Sequence, residues 1–308
     1  MESAQTRRSS RASVTAGAPG CPWGWLWRAG TGPGRASRLR FAVVKAPLLR
    51  LLERTRLLRP AFRVYEALLS LRARSRPAPK PDDGLPLPPP ALIVRVAGTP
   101  AAAWFLESGR LADAAIRDVL ERDGAPVDTL GAILDFGCGC GRVTRRWAGL
   151  RGVGVYGSDR DERAIEWCRR NLPFAEFETN GLAPPLVFDD EGFDLVYALS
   201  VLTHLPEELQ LLWLRELHRV LRPGGRLLVT THGAHYLPRL DAAERARFEA
   251  GELVVRWEEA AGSNLCAAYH PRSYVERTLL PPGFALAEFV EEGAKGNPAQ
   301  DLYLLRKR

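Results

Sequence analysis

The segment Ala132–Gly141, which reads AILDFGCGCG, limits the fold of this chain more than any other feature. Its apolar start predicts a β-strand that ends near Asp135, and three glycines follow at alternate positions. Glycine lets the backbone turn tightly and approach a ligand closely, and N–H groups are presented where a helix starts, which we expect at Arg142 or Val143. A dinucleotide-binding fingerprint needs a glycine where Arg142 stands. The loop therefore suits a ligand with a carboxylate and an ammonium group better than a pyrophosphate.

A second predicted strand with an acid at its carboxyl end follows this loop. The strand is Val153–Asp159, and a carboxylate at Asp159 can accept hydrogen bonds from both hydroxyls of an adenosine ribose. Asp161 is a favourable N-cap for the next helix. From there to the C-terminus, short apolar runs alternate with amphipathic segments, which predicts βα units around a parallel sheet. The apolar face of the first of these helices consists of Ile165, Cys168 and Leu172.

These segments resemble two motifs of the class I S-adenosylmethionine-dependent methyltransferases. Asp135 to Gly141 are similar to the first motif of that family, and Asp159 is similar to its ribose-binding acid. The resemblance covers roughly residues 92–308 and continues in order along the chain. Its further segments are Glu178–Leu182 (adenine contacts), Phe193–Ser200 (fourth strand, ending beside the methyl group), Leu221–Gly225 with Arg226–Thr231 (turn and fifth strand), and Phe284–Val290 with Leu302–Leu305 (closing hairpin).

The resemblance implies an α/β fold with a Rossmann-like, seven-stranded, mostly parallel sheet, a terminal antiparallel hairpin and helices on both faces. Between the fifth and sixth strands, residues 233–283 form an insertion long enough to cap a site and shape an acceptor pocket. Within this insertion, Asp241–Ala250 reads as a helix, and Leu253–Trp257 and Leu265–Tyr269 could pair as a hairpin.

The resemblance also implies that S-adenosyl-L-methionine is the cofactor. In the family, a segment before the first strand folds over the cofactor, and here this segment is a helix that follows Thr99 and Pro100. We expect no metal ligands, because no His or Cys cluster has zinc-site spacing. The expected cofactor-binding residues are Asp135, Phe136, Gly137, Cys138, Gly139, Gly141, Asp159, Arg160, Asn180, Gly181, Leu182, Ser200, Phe105 and Gly109.

Two histidines are candidates for the general base that removes a proton from an alcohol acceptor. His204 and His232 follow the fourth and fifth strands, at the sheet edge where open α/β sheets bind ligands. Each could instead be structural, His204 by starting a helix and His232 through a loop hydrogen bond. His218 lies within the predicted helix Glu207–Leu221, and His235 and His270 lie in the insertion, which makes all three weaker candidates.

The acceptor class follows partly by elimination. The stretch Ala198–His204 lacks the N/D-P-P-aromatic motif with which related enzymes bind a flipped base, and the paired-glutamate loop of arginine methyltransferases is also missing. The chain therefore resembles the branches that O-methylate small molecules or sugars. Two alternatives stay open, a non-catalytic cofactor-binding regulatory or assembly subunit and a methyltransferase for a membrane-bound, lipid-linked acceptor.

The positive charge of the chain is concentrated at its N-terminus. Residues 1–80 contain 17 Lys and Arg against three acids, whereas residues 81–308 contain 26 basic and 33 acidic residues. A protein that acts on nucleic acid is expected to carry its positive field around its cleft, so we expect no nucleic-acid partner. No apolar run reaches the length of a membrane span, and five cysteines without a CxxC pair suggest reduced thiols in a cytoplasmic protein.

The N-terminal region reads as three segments. Residues 1–40 are rich in Ser, Arg, Gly and Ala and predict a disordered basic segment, with some likeness to an organellar transit peptide or to sequence upstream of the true start. Residues 41–76 predict two basic amphipathic helices, which could contact an anionic membrane, pack on the main domain or join a homodimer. Residues 77–91 are proline-rich and predict a linker before the domain at 92–308.

Overall fold

A seven-stranded sheet forms the centre of the computed structural model, which describes residues 57–73, 79–280, 283–296 and 299–308. Its strands are β1 (Ala132–Phe136), β2 (Gly154–Asp159), β3 (Glu176–Thr179), β4 (Phe193–Ala198), β5 (Leu221–Thr231), β8 (Phe284–Ala294) and β9 (Gln300–Lys307). The spatial order is β3-β2-β1-β4-β5-β9-β8; the first five strands are parallel, and β9 pairs antiparallel with both β5 and β8. The expected Rossmann-like sheet with a terminal antiparallel hairpin is confirmed.

Helices flank this sheet. They are α1 (Leu58–Ala73), α2 (Pro90–Ala97), α3 (Ala102–Arg122), α4 (Glu162–Asn171), α5 (Glu207–Val220), α6 (Ala242–Glu249) and the single turn α7 (Arg272–Tyr274), which continues as a π-helical turn, Val275–Leu279. Shorter 3-10 turns lie at Val127–Thr129, Thr144–Trp147, Leu202–His204, Ala234–Arg239 and Glu258–Ala260. Among the described residues, no helix combines the length and apolar character needed to cross a bilayer.

The side chains of β1 point alternately into two apolar layers, one on each face of the sheet. All five residues of β1 are buried, which is typical of a central parallel strand covered on both faces. Leu134 and Phe136 pack in the layer that contains Trp213 of α5, whereas Ile133 packs in the layer that contains Ile116 of α3. Because strand order reverses on either side of β1, the carboxyl ends of β1, β2 and β4 meet at a crevice suited to a ligand.

The insertion between β5 and β8 contains the elements expected from the sequence. Asp241 caps α6 by accepting a hydrogen bond from the Glu244 backbone, while the Glu244 side chain accepts one from the Asp241 backbone. The short strands β6 (Val254–Arg256) and β7 (Ala267–Tyr269) pair antiparallel. Both the helix and the hairpin of the insertion are therefore confirmed.

Two local expectations are corrected. The helix expected from Arg142 or Val143 is only the 3-10 turn Thr144–Trp147, because the chain must reach β2 soon afterwards and Gly152 takes a left-handed φ of 75°. In the proline-rich segment, α2 begins at Pro90, where a proline has no helical N–H to lose.

Helix α1 is the part of the segment 41–76 that the structure describes. The expectations for residues 1–40 and for a first helix in residues 41–56 lie outside the described residues. Phe62 of α1 is buried against Ala260, Leu265 and Cys266 of the insertion. The described helix is therefore packed on the domain, over the carboxyl edge of the sheet.

The segment before α2 is tied to the glycine-loop region by a buried ion pair. The Arg145 guanidinium is 1% exposed and donates from Nε to Asp83 Oδ2 at 2.6 Å and from Nη2 to Asp83 Oδ1 at 2.7 Å. The same guanidinium donates to the carbonyl oxygens of Leu85 and Pro86. The neighbouring Asp82 pairs with Arg146, and its carboxylate is 61% exposed.

The Asp83→Ala substitution should lower the free energy of unfolding by about 3 kcal/mol, because it leaves a buried guanidinium without its counter-ion. The Asp82→Ala substitution is the matched control and should cost less than about 1 kcal/mol, since its ion pair is largely solvated. Urea denaturation of the two variants measures both effects. Equal losses in the two variants would contradict a special role for the buried pair.

Candidate functional site

A cavity of about 750 Å³ opens at the carboxyl ends of β1, β2 and β4. Its volume falls within the range of roughly 300–1,000 Å³ that is usual for small-molecule sites. The cavity brings together most of the residues that the sequence analysis selected. Those that line it are Asp135, Phe136, Gly137, Cys138, Gly139, Asp159, Arg160, Asn180, Gly181, Leu182, Ser200 and His204.

The Asp159 carboxylate connects the glycine loop to the second strand. Its Oδ2 accepts a hydrogen bond from the Gly139 backbone N–H at 2.8 Å, and its Oδ1 accepts one from the Asp161 backbone N–H at 2.8 Å. Burial raises the pKa of Asp159, and these two backbone bonds oppose that shift. Each carboxylate oxygen keeps a further lone pair, so Asp159 can still accept the two hydroxyls of a ribose.

Asp135 is the second acid of the cavity. The Thr144 hydroxyl donates to its Oδ2 at 2.6 Å, and burial raises the pKa of this carboxyl to about 6 despite that hydrogen bond. A cationic group of a ligand placed beside Asp135 would favour the ionised carboxylate. This chemistry matches the expectation of a ligand that carries an ammonium group.

The end of β3 supplies the far wall of the cavity. The Ser158 hydroxyl donates to Asn180 Oδ1 at 2.6 Å, and the Asn180 backbone N–H donates to the Asp159 carbonyl at 3.1 Å. The Leu182 carbonyl accepts from the Trp213 indole at 2.9 Å. These bonds fix the residues that the resemblance assigned to adenine.

Four of the expected site residues lie outside the cavity lining. A Cβ on Gly109 would lie 2.3 Å from the Arg142 carbonyl oxygen, and one on Gly141 would lie 2.4 Å from Leu172, so both glycines permit close packing. Phe105 is fully buried and packs with Leu92 and Cys140. These three residues pack behind the glycine loop and do not face the cavity. The fourth expected residue outside the lining is His232.

His204 faces the cavity with one nitrogen available. Its Nδ1 donates to the Cys266 carbonyl at 2.7 Å, which leaves the lone pair of the neutral ring on Nε2. Burial lowers the pKa of His204 below its ordinary value of 6.5, although the bond to the Cys266 carbonyl partly opposes this shift. The ring is therefore neutral at pH 7 and can accept a proton.

Both ring nitrogens of His232 are engaged. Its Nδ1 donates to the Ala268 carbonyl at 3.1 Å, and its Nε2 accepts from the Gln300 side-chain amide at 3.3 Å. The ring also packs against Tyr236, with ring centroids 4.1 Å apart. Burial and the nearby His204 hold the pKa of His232 well below 6.5.

Gln300 is a residue that the sequence analysis missed. Its amide nitrogen also donates to Ser200 Oγ at 2.8 Å, and its Oε1 accepts from the Thr230 hydroxyl at 2.7 Å. The Thr230 oxygen in turn accepts from the Ser200 backbone N–H. Ser200 has a left-handed φ of 60°, a strained conformation for a residue other than glycine, and these bonds stabilise it beside the cavity.

The 3-10 turn Glu258–Ala260 and the loop that follows it form the roof of the cavity. The Gly262 N–H donates to the His204 carbonyl at 2.8 Å, and Arg160 Nη1 donates to the Ala261 carbonyl at 2.9 Å. Helix α1 completes the roof, because Phe62, Arg63 and Glu66 also line the cavity. No local motif marked α1 as part of the site, so the sequence analysis treated it as an extension.

Residues 134–229 match the protein family described as a methyltransferase domain. This part of the chain is a methyltransferase domain. The matched region runs from β1 into β5, so it holds the glycine loop, Asp159, Asn180 and His204. Helix α1 and the insertion that roof the methyltransferase site lie outside it.

Several relatives share part of this domain. The 27-O-demethylrifamycin SV methyltransferase of Amycolatopsis mediterranei is 33% identical over 130 residues, which are 40% of this chain and 47% of that protein. Methyltransferase GfsG of Streptomyces halstedii is 32% identical over 107 residues, which are 32% of this chain and 36% of that protein. The chain thus spans about half or less of the length of these relatives. A solved SAM-dependent methyltransferase from Methanosarcina mazei has a TM-score of 0.43 and 25% identity, covering 57% of this chain and 92% of that one.

S-adenosylmethionine is the cofactor of this methyltransferase domain. The residues present fit it, because an acid able to accept the hydroxyls of a ribose, a glycine loop and a second acid suited to an ammonium group line one cavity. The expected cofactor is therefore supported by the chemistry of this site as well as by the family match.

The Gly139→Ala substitution should lower the affinity for S-adenosylhomocysteine by at least about tenfold. The new Cβ would lie 2.4 Å from Val96 on a backbone with φ of 55°, so the loop must shift away from Asp159. The Gly149→Ala substitution is the matched control, since a Cβ there meets nothing within 4 Å. Calorimetry measures both, and equal affinities in the two variants would contradict the assignment of the loop.

Proposed function

We propose that this methyltransferase transfers the methyl group of S-adenosylmethionine to a hydroxyl group of a small molecule or sugar, with His204 as the general base. The observation that carries the proposal is the free Nε2 of a neutral His204 in the cofactor cavity. The name of the Amycolatopsis relative, which refers to an O-demethylated rifamycin, also supports an oxygen acceptor.

When bound, S-adenosylmethionine supplies a methyl group that is already activated for displacement, so the chain mainly has to align the acceptor and manage its proton. The transfer would be a displacement in which the acceptor oxygen bonds to the methyl carbon and the sulfur leaves as the neutral thioether. Nε2 of His204 takes the hydroxyl proton, and the Cys266 carbonyl holds the ring in the tautomer that allows this. Product release then returns the proton to solvent.

His204 is a better base than His232 because of their hydrogen bonds. His232 would have to give up the Gln300 amide before its Nε2 could accept a proton, and it does not line the cavity. Through Gln300, His232 instead supports the position of Ser200. We therefore assign His232 a positioning role and His204 the catalytic one.

The roof covers part of the cavity beside His204. Phe62, Leu265 and the backbone of residues 260–263 cover the cavity beside His204. Exclusion of water strengthens electrostatic interactions within the site and prevents loss of the methyl group to solvent. The same burial lowers the pKa of His204, so the roof also favours the neutral ring that the proposed base requires.

The His204→Ala substitution should lower kcat about 10²–10⁴-fold and leave the affinity for S-adenosylhomocysteine within about threefold. The exposed His235, which pairs with Glu292, provides the matched His235→Ala control with near wild-type turnover. Transfer of label from S-adenosylmethionine into a metabolite extract identifies the acceptor. Transfer of label to the purified acceptor then measures turnover.

The wild-type kcat/KM should fall as the pH decreases, with its inflection below 6.5, because burial lowers the pKa of His204 and only the neutral ring accepts a proton. His204→Ala should lose this inflection. Unchanged turnover in His204→Ala would overturn the base assignment, and the absence of any methylated product from the wild type would favour the non-catalytic alternative.

A further inference from the structure

Helix α1 has a row of exposed aliphatic side chains that no described residue covers. Leu57, Val64, Leu68 and Leu71 are 52–59% exposed. Their spacing of seven, four and three residues places them on one face of α1 and the residue before it. Among the described residues, six large hydrophobic side chains are exposed, and only Leu182 and Val187 lie outside this apolar row.

The opposite face of the same helix packs inward. Phe62 and Ser70 are each 8% exposed, and Phe62 contacts the insertion in the roof of the cavity. Glu66 also points to the cavity, where Arg95 and Asp161 are the nearest charges outside α1. One side of helix α1 therefore faces the cavity, and the opposite, outer side is apolar and exposed. Glu66, the only acid of the helix, lies on the side that faces the cavity.

The sequence segment that contains the apolar row is strongly basic. Residues 54–76 contain seven arginines, and Glu66 is the only acid among them. The whole segment 1–80 carries a net charge of +14 (17 basic minus three acidic residues), whereas residues 81–308 carry −7 (26 minus 33). An apolar row within a basic segment provides the two weak attractions that together hold a helix at an anionic lipid surface.

We infer that the outer face of α1 is a docking surface for an anionic lipid membrane. Leu57, Val64, Leu68 and Leu71 enter the boundary between headgroups and acyl chains, and the net positive charge of the N-terminal segment 1–80 favours anionic lipid headgroups. The inner face of α1 stays packed on the roof while the protein is docked. This inference does not rest on the proposed function, because lipid binding needs no turnover.

A second copy of the chain fits this surface less well. Four half-exposed aliphatic side chains offer much less area than the about 800 Å² per partner of a stable interface. A two-fold contact through α1 would also bring two strongly basic sequence segments together. A lipid surface supplies the negative charge that such a copy lacks at this position.

The test is co-sedimentation of the full chain with vesicles of phosphatidylcholine and phosphatidylglycerol, compared with phosphatidylcholine alone. The wild type should bind the anionic vesicles, and Leu68→Glu with Leu71→Glu should weaken that binding by at least about tenfold. Leu68→Met with Leu71→Met should retain it. Val187→Glu is the matched control, since Val187 is 70% exposed but lies outside the row, and it should bind as the wild type does.

Calorimetry with S-adenosylhomocysteine shows whether the glutamate variant is still folded, and its affinity should equal that of the wild type. Failure of the wild type to bind anionic vesicles would overturn the inference. So would undiminished binding by the glutamate variant, because charge alone would then account for it. Light scattering that shows a wild-type dimer and a monomeric glutamate variant, without any vesicle binding, would identify an interface between copies instead. Loss of turnover in His204→Ala with vesicle binding intact would separate this result from the proposed function.

Discussion

Asp159 is the residue on which the geometry of the site depends most. Its carboxylate accepts from the backbone of Gly139 in the loop after β1 and from that of Asp161 at the start of α4. Two βα units are thereby joined at the crevice where the strand order reverses. Because the carboxylate is buried, its bonds to backbone N–H groups operate in a low dielectric and replace hydration that it has lost. The same oxygens that shape the loop keep lone pairs that can accept the hydroxyls of a ribose.

The roof connects the two halves of the cavity through its backbone. Residues 260–263 bond to Arg160 on the cofactor side and to the His204 carbonyl on the acceptor side, and Cys266 fixes the His204 ring. A movement of this loop would therefore change both the position of Arg160 and the orientation of the His204 ring. The roof lies outside the region that matches the methyltransferase family, so it is the place where an acceptor preference particular to this chain can be built.

Electrostatics in the site are controlled by burial more than by ion pairing. Burial is the largest influence on Asp135, Asp159 and His204, raising the pKa of both acids and lowering that of the histidine. Each shift favours the neutral form, so a bound ligand with its own charges can reset the protonation of the acids. The buried ion pairs, such as Arg145 with Asp83, lie behind the glycine loop and stabilise it from outside the cavity.

Local patterns in the sequence determined the alternation of strands and helices, the glycine loop, Asp159 and the hairpin of the insertion. Each depends on neighbours within a few residues, on the alternation of apolar side chains or on the conformational freedom of glycine, so the sequence alone could specify it. The difference between His204 and His232 in hydrogen bonding and exposure to the cavity could not be predicted this way, because both residues follow strands at the same edge of the sheet. The tertiary structure sets this difference through the carbonyls of Cys266 and Ala268 and the amide of Gln300, which lie 36 to 68 residues along the chain from the rings they bind. The place of α1 over the cavity was decided in the same way, since Phe62 meets Cys266 only after the chain has folded.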